Sequence, residues 1–236
     1  YPVLTYLDAD ELEEYINLTH QLATAISKKA GKTVLSEYAK QLLIKRARVI
    51  AGTRGKLPEL KKIIEPYKDD KHLLIYCGAT TIKEVDADEM DFGARQIDLV
   101  TNMLGNDMGM RVGRFTSQES SQERAQIRAA FAEGNMLQAL VAIKCLDEGV
   151  NIPSIKTAFI LASSTNPKEY IQRRGRVLRK FPGKDYAVIF DFITLPFPMD
   201  EIGFQSQEII NSTKGLVKRE IIRMLDFAEI AENPSE

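Results

Sequence analysis

Apolar residues recur at helical spacing near the start of this 236-residue chain. They fall at three- and four-residue intervals over residues 9–29, again over 34–50 and once more over 56–67. This period predicts three amphipathic helices. The charged segment Tyr67-Lys-Asp-Asp-Lys71 follows them and suggests a domain boundary. We therefore expect residues 1–68 to form a helical extension.

Beyond residue 68 the pattern changes to short apolar segments that alternate with helical ones. The predicted order is strand 72–77, helix 93–104, strand 110–115, helix 119–133, strand 138–143, strand 156–161, helix 167–180 and strand 185–191. Alternation of this kind predicts an α/β domain at 69–196, with a parallel sheet that has helices on both faces. Pro196 and Pro198 then interrupt the chain, and 206–231 is predicted as the helix of a C-terminal segment, 197–236.

Composition limits the classes of function. The formal net charge of −1 argues against a protein that binds polyanions over its whole surface, but seven basic residues and one acidic residue lie between Lys168 and Lys184. No apolar run is long enough to cross a bilayer, and no signal peptide opens the sequence, so we expect no membrane partner and a cytoplasmic location.

No set of residues fits a metal site. Cys77 and Cys145 are the only cysteines, and the absence of a Cys-x-x-Cys pair leaves them as expected small buried hydrophobes. The acidic segment 84–91 fails the calcium-loop pattern because Met90 occupies a ligand position. We expect a solvated loop there.

The segment Tyr170–Arg179 has the most distinctive chemistry. Gln172, Arg176 and Arg179 stand at i, i+4 and i+7, and so share one face of the predicted helix. Guanidinium groups keep their charge and match the oxygens of phosphate, which favours a polyphosphate site over the alternative of a solvated basic helix end. A capping pattern and a turn bound the helix: Asn166, Pro167, Glu169 and then Pro182-Gly183.

Two further segments, Leu73–Gly78 and Ala139–Pro153, precede this helix. Together with Gln172–Arg179 they resemble, in order, motifs IV, V and VI of superfamily-2 helicases. The resemblance covers residues 71 to about 195, and its motif V is similar to that of bacterial restriction- or repair-associated helicases of the DEAD/DEAH type. It implies the second RecA-like lobe of such an enzyme, a P-loop NTPase-like fold.

The resemblance implies roles for single residues. In motif VI the arginine fingers that stabilise the transition state of ATP hydrolysis fall on Arg176 and Arg179, with Gln172 at the leading position. In motif V the nucleotide contacts fall on Gly149 and Asn151, and Arg173 is added to the nucleotide-binding set. Many relatives have Asp where this chain has Asn151, but an amide still binds a ribose hydroxyl.

The family's nucleic-acid contacts come from loops at the carboxyl ends of the strands. Here these residues are Gly78, Thr80, Thr116, Ser117 and Lys144. Backbone amides, hydroxyls and a lysine bind phosphates without selecting bases. For Thr116 and Ser117, a role as N-cap of the next helix is an equally good alternative. Ile143 is a departure, because many relatives have a phosphate-binding Thr there.

A complete ATP motor also needs a phosphate-binding loop and an acidic Mg²⁺ site. Gly31-Lys32-Thr33 is rejected as such a loop because Ile26 stands five residues before Gly31, and because the tripeptide lies between helical patterns. We therefore expect a lobe without its own P-loop, which shares ATP and Mg²⁺ with a missing N-terminal RecA-like lobe of the same polypeptide. Alone, it should be inactive.

The expected function is the C-terminal motor lobe of an ATP-hydrolysing DNA helicase or translocase of the EC 3.6.4 type. Its expected partners are DNA, with RNA as the alternative, the N-terminal lobe, and a restriction or repair complex. A catalytically idle nucleic-acid-binding or assembly module is the competing hypothesis. The set of Gln172, Arg176 and Arg179 favours the motor, because an idle module has no need of it.

Overall fold

The computed structural model describes residues 1–25, 27–29, 32–78, 96–116, 118–143, 152, 154–162 and 167–233, with the backbone alone for 27–29, 32–34, 167–169 and 173. The described strands are β1 (Pro2–Tyr6), β2 (Ser27–Lys29), β3 (Lys32–Val34), β4 (Leu73–Cys77), β5 (Val112–Phe115), β6 (Ala139–Ile143), β7 (Thr157–Ile160) and β8 (Val188–Leu195). The described helices are α1 (Ala9–Ala25), α2 (Glu37–Ala51), α3 (Lys56–Ile64), α4 (96–102), α5 (Ser121–Glu133), α6 (Pro167–Val177) and α7 (Gln207–Ala228). A π-helical turn, Met103–Asp107, continues α4.

Among the described strands, six form one sheet in the order β1-β8-β7-β4-β6-β5. The strand β4 pairs in parallel with β6 and β7, while β6 pairs with β5 and β7 pairs with β8 in the same sense. All five residues of β4 are buried, as expected for a central strand with both faces covered. The predicted parallel α/β fold is confirmed.

The described residues divide into two compact units. The first consists of Tyr1–Val3 with Lys56–Phe192, and the second of Leu4–Gly55 with Ile193–Glu236. In the first unit, apolar side chains of β4, β6 and β7 form one core with Leu60 and Ile64 of α3 and with residues of α4. In the second unit, α1 and α2 pack through a separate set of apolar residues: Leu18, Leu22, Ala39 and Leu42.

This division differs from the boundary that we predicted at residue 68. The helix α3 packs in the core of the first unit, so the compact unit begins again at Lys56. The strand β1 belongs to the sheet, so the helical extension does not include Pro2–Tyr6. The feature that could have predicted β1 is its two-residue period, with Val3 and Thr5 buried and Pro2 and Leu4 exposed, but this period extends over only five residues.

The predicted helices 9–29 and 34–50 are each shorter than expected. Residues Ser27–Lys29 pair antiparallel with Lys32–Val34, so a small hairpin separates α1 from α2. Lys32 and Thr33, from the tripeptide that we rejected as a P-loop, stand between α1 and α2 as expected, but they lie within the strand β3. Since a P-loop leads from a strand into a helix, its rejection still holds.

Candidate functional site

The carboxyl ends of the parallel strands define one edge of the sheet. In the pairing register Cys77 lies opposite Ile143, Phe115 opposite Ala142, and Tyr76 opposite Ile160. Gly78 follows β4, and Thr116 follows β5, with β6 between them. The two loops therefore begin about 10 Å apart, which is two strand spacings.

A buried glutamine holds the start of the loop at Gly78. The Gly78 N–H donates to Oε1 of Gln96 at 3.0 Å, and Gln96 is only 8% exposed. Asp98, two residues along α4, forms a 2.6 Å ion pair with Arg114 of β5. Gln96 was not predicted as a site residue, although it lies four residues before buried Val100 and thus on the inner face of its helix.

Thr116 has its polar groups bonded within the chain. Its backbone N–H donates to Oε2 of Glu119 at 2.6 Å, and its hydroxyl donates to the same carboxylate at 2.9 Å. The hydroxyl also accepts the Gln118 N–H at 3.1 Å. Glu119 was missed, although Thr116-x-x-Glu119 has the spacing of a capping box.

The N-cap of α5 is Ser120, and not Thr116 or Ser117 as the alternative interpretation held. Ser120 and Glu123 exchange the two hydrogen bonds of a capping box. The Ser120 backbone N–H, which donates to the Glu123 carboxylate at 2.8 Å, lowers the pKa of that carboxyl group. The Thr116–Glu119 pair is not reciprocal in this way, because both of its bonds run from Thr116 to the carboxylate.

The helix α6 presents two of the predicted motif VI residues. It begins at Pro167, after the chain leaves β7 at the carboxyl edge of the sheet. Tyr170 and Val177 are buried at 3% and 1% exposure and fix the inward face of the helix. Gln172 is exposed and Arg176 partly buried, and the two are one turn apart on the helix.

Arg179 lies outside α6, because the helix ends at Val177 and not at residue 180 as predicted. The Leu178 N–H still donates to the Arg174 carbonyl at 3.0 Å. The Arg179 N–H donates to the carbonyl of Arg176, three residues back, at 3.4 Å. Gln172 and Arg176 therefore share one face of α6, whereas Arg179 follows in a tighter final turn.

A lysine beyond the helix contacts this final turn. Lys184 Nζ donates to the carbonyl of Val177 and, at 2.9 Å, to the carbonyl of Arg179. Partial burial of the ammonium group lowers the pKa of Lys184. The Lys184 N–H donates to the Phe181 carbonyl at 3.0 Å, across a turn in which Gly183 has a φ of 73°. In the sequence Pro182-Gly183 indicates only a helix stop, and Lys184 was not predicted.

Several predicted site residues lie outside the described residues: Thr80, Ser117, Lys144, Gly149 and Asn151, together with Asn166 and the acidic segment 84–91. Arg173 lies on α6, and its side chain is not described. Cys77 is fully buried in the core of the first unit, and burial raises the pKa of its thiol. Within the described ranges, no group of His, Cys, Asp and Glu could hold a metal ion, and no helix is long and apolar enough to cross a membrane.

Solved structures with a similar fold include two from the SWI2/SNF2 group of Sulfolobus solfataricus. The ATPase core domain is 15% identical with a TM-score of 0.60, and the match covers 98% of this chain and 48% of that one. The same ATPase core in complex with double-stranded DNA is 15% identical with a TM-score of 0.58, over 94% and 47% of the two chains. The C-terminal part of the Fun30 ATPase domain is 14% identical with a TM-score of 0.56, over 94% and 97%.

The fold comparison agrees with a comparison at the level of sequence families. No curated protein matches the chain. The family model described as the helicase conserved C-terminal domain matches residues 55–181, more than half of the 236 residues. The matched range holds β4 to β7 and α6. The chain therefore belongs to the helicase conserved C-terminal domain family, and it has the RecA-like fold of the second lobe of superfamily-2 helicases.

Proposed function

We propose that the chain is the C-terminal motor lobe of an ATP-dependent DNA helicase or translocase. The observation that carries this proposal is the placement of Gln172 and Arg176 one turn apart on α6, with Arg179 following in the final turn. Charge develops on the γ-phosphoryl oxygens during ATP hydrolysis, and a guanidinium held near them stabilises the transition state. We assign this role to Arg176 and Arg179.

ATP and Mg²⁺ are shared with an N-terminal lobe in this proposal. The sequence has no Gly-x-x-x-x-Gly-Lys-Ser/Thr segment, and the described residues offer no acidic cluster for Mg²⁺. The forked guanidinium groups fit phosphate oxygens, and we assign Gly149, Asn151 and Arg173 to the nucleotide as well. The 236-residue chain alone should then bind nucleotide weakly and hydrolyse it negligibly.

Double-stranded DNA is the proposed nucleic-acid partner, since a similar structure, the Sulfolobus solfataricus ATPase core, forms a complex with double-stranded DNA. We assign the contacts to the loops at the carboxyl edge, with Thr80, Ser117 and Lys144 as phosphate ligands beside Gly78 and Thr116. Binding by this lobe should be weak, indifferent to sequence and steeply dependent on salt. The similarity of motif V to restriction- and repair-associated helicases supports a cytoplasmic role in one of those processes.

Substitution of the arginines in the full-length protein tests the motor hypothesis. Arg176→Ala and Arg179→Ala should each abolish most DNA-stimulated ATP turnover, by roughly 10³-fold or more, and leave ATP binding nearly unchanged. Asn151→Ala should be milder, because one neutral hydrogen bond contributes about 0.5–1.5 kcal/mol. Lys180→Ala, an exposed neighbour, serves as the control for loss of positive charge.

These turnover measurements decide between the motor lobe and the idle nucleic-acid-binding module. If both arginine variants retain wild-type turnover, the arginines are structural and the motor role assigned to them is wrong. If the unsubstituted full-length protein binds DNA but has no DNA-stimulated turnover, the idle binding module is the better description.

A further inference from the structure

The end of α6 leaves backbone carbonyl groups that need partners. An α-helix has no intrahelical donor for its last four carbonyls, and chains often supply glycine turns or basic side chains for them. Here the Leu178 and Arg179 N–H groups satisfy the carbonyls of Arg174 and Arg176. The carbonyls of Val177 and Arg179 both accept from the ammonium group of Lys184.

A tight turn directs Lys184 back to this helix end. In Phe181-Pro182-Gly183-Lys184 the first carbonyl accepts the N–H of the fourth residue at 3.0 Å. Proline at the second position and glycine with positive φ at the third are the features of a type II turn. The turn reverses the chain within four residues, which places a side chain beyond the helix beside the carbonyls at its end.

Both peptide groups that flank Arg179 are therefore held. Its N–H is bonded to the Arg176 carbonyl, and its own carbonyl is bonded to Lys184. The Arg176 bond is long, at 3.4 Å, and spans only three residues, so it constrains the backbone weakly. The contact from Lys184 also carries a positive charge, which is favourable at the negative end of a helix dipole.

We infer that Lys184 is a positioning residue for Arg179: its ammonium group fixes the backbone from which the second arginine finger reaches the nucleotide. This inference rests on the proposed motor function. It goes beyond it by assigning a role to a residue that touches neither ATP nor nucleic acid in the mechanism above. A finger displaced by about 1 Å loses on the order of 10²-fold in rate, so the position of this backbone matters for turnover.

The test compares single and double variants of the full-length protein under single-turnover conditions. Lys184→Met, which is one atom shorter than lysine and has neither its charge nor its donors, should lower the maximal rate of ATP hydrolysis by about 10- to 100-fold with little change in the concentration that gives half of this rate. Lys184→Arg, which keeps donors and charge, should recover most of this loss. Lys180→Met, an exposed lysine in the same segment, should hydrolyse ATP like the wild type.

The effect of Lys184→Met in a protein that already carries Arg179→Ala shows whether Lys184 positions Arg179 or only supports the fold. If Lys184 acts through Arg179, then Lys184→Met should slow Arg179→Ala by no more than about twofold, because the group that it positions is gone. A loss of equal size in both backgrounds would refute the inference, as would wild-type hydrolysis by Lys184→Met. Should Lys184→Met fail to fold, Lys184→Gln, too short to reach both carbonyls, replaces it with the same expected results.

Failure of the proposed function gives a different pattern. Wild-type turnover by Arg179→Ala would refute the finger itself, and the role of Lys184 would fall with it. If Arg179→Ala loses turnover and Lys184→Met keeps wild-type turnover, the finger role of Arg179 stands and only the positioning role of Lys184 is refuted.

Discussion

A buried ion pair in the second unit allows a quantitative prediction about the C-terminal helix. Glu220 and Arg223, both on α7, have side chains that are only 4% and 6% exposed. The two Glu220 oxygens accept from the Arg223 guanidinium at 3.0 and 2.9 Å. Glu220 Oε2 also accepts the backbone N–H of Thr194, near the end of β8, at 3.1 Å. The carboxylate thus links α7 to the last residues of β8.

Removal of one partner should cost much more stability than removal of both. In Arg223→Met the Glu220 charge stays buried with the Thr194 N–H as a remaining donor, and breaking such a pair costs about 3–5 kcal/mol. In the double variant Glu220→Met, Arg223→Met no buried charge remains. Its main cost is the Thr194 N–H without its acceptor, about 1–3 kcal/mol. The double variant should therefore be about 2 kcal/mol more stable than Arg223→Met.

Urea unfolding of the 236-residue chain, followed by far-ultraviolet circular dichroism, measures these differences. Lys218→Met, an exposed residue on the same helix, is the matched control and should change the free energy of unfolding by less than about 0.5 kcal/mol. A double variant as unstable as Arg223→Met, or less stable, would show that the cost arises from lost packing and not from an uncompensated charge.

Two further predictions concern single ionisable groups. Burial lowers the pKa of His72 below its ordinary 6.5, so protonation favours the unfolded chain. The variant for comparison is His72→Asn, because asparagine tolerates the φ of 66° at this position. The free energy of unfolding of the wild type, relative to that of His72→Asn, should decline as the pH falls below about 6.5. Equal pH dependence of both proteins would exclude this role. Glu119→Gln should bind double-stranded DNA more tightly than Glu123→Gln, by roughly fivefold, because one charge at about 4 Å in water contributes about 1 kcal/mol. Equal gains in a fluorescence-anisotropy titration would mean that net charge alone decides.

The elements of the core could be predicted from the sequence because their patterns are long or strongly apolar. Leu73–Cys77 is a continuous apolar run, and every one of its residues is buried. The strand β1 was missed because five residues with a proline give a weak period and its partner, β8, comes nearly two hundred residues later. The hairpin Ser27–Val34 was missed because the helical spacing of apolar residues on either side extended through it.

The sequence proposes residues that would touch a ligand, and these assignments stay predictions. Motif patterns identify side chains such as Arg176, whose chemistry suits phosphate. They do not identify Gln96 or Lys184, because the hydrogen bonds described above join these side chains to backbone groups, and every residue type except proline offers the same N–H and carbonyl groups. The contacts depend on where a turn or a helix places the side chain, which a motif pattern does not encode.

The two loops at the carboxyl edge differ in the charge of the group that satisfies their first amide. At Gly78 the acceptor is the neutral amide oxygen of Gln96, while at Thr116 it is the carboxylate of Glu119. A phosphate group at the first position would compete with a neutral acceptor for the Gly78 N–H, whereas at the second it would compete with the Glu119 carboxylate for both the N–H and the hydroxyl of Thr116. Contact with Thr116 requires Glu119 to turn away first, which is why loss of that charge should strengthen DNA binding while loss of the Glu123 charge should not.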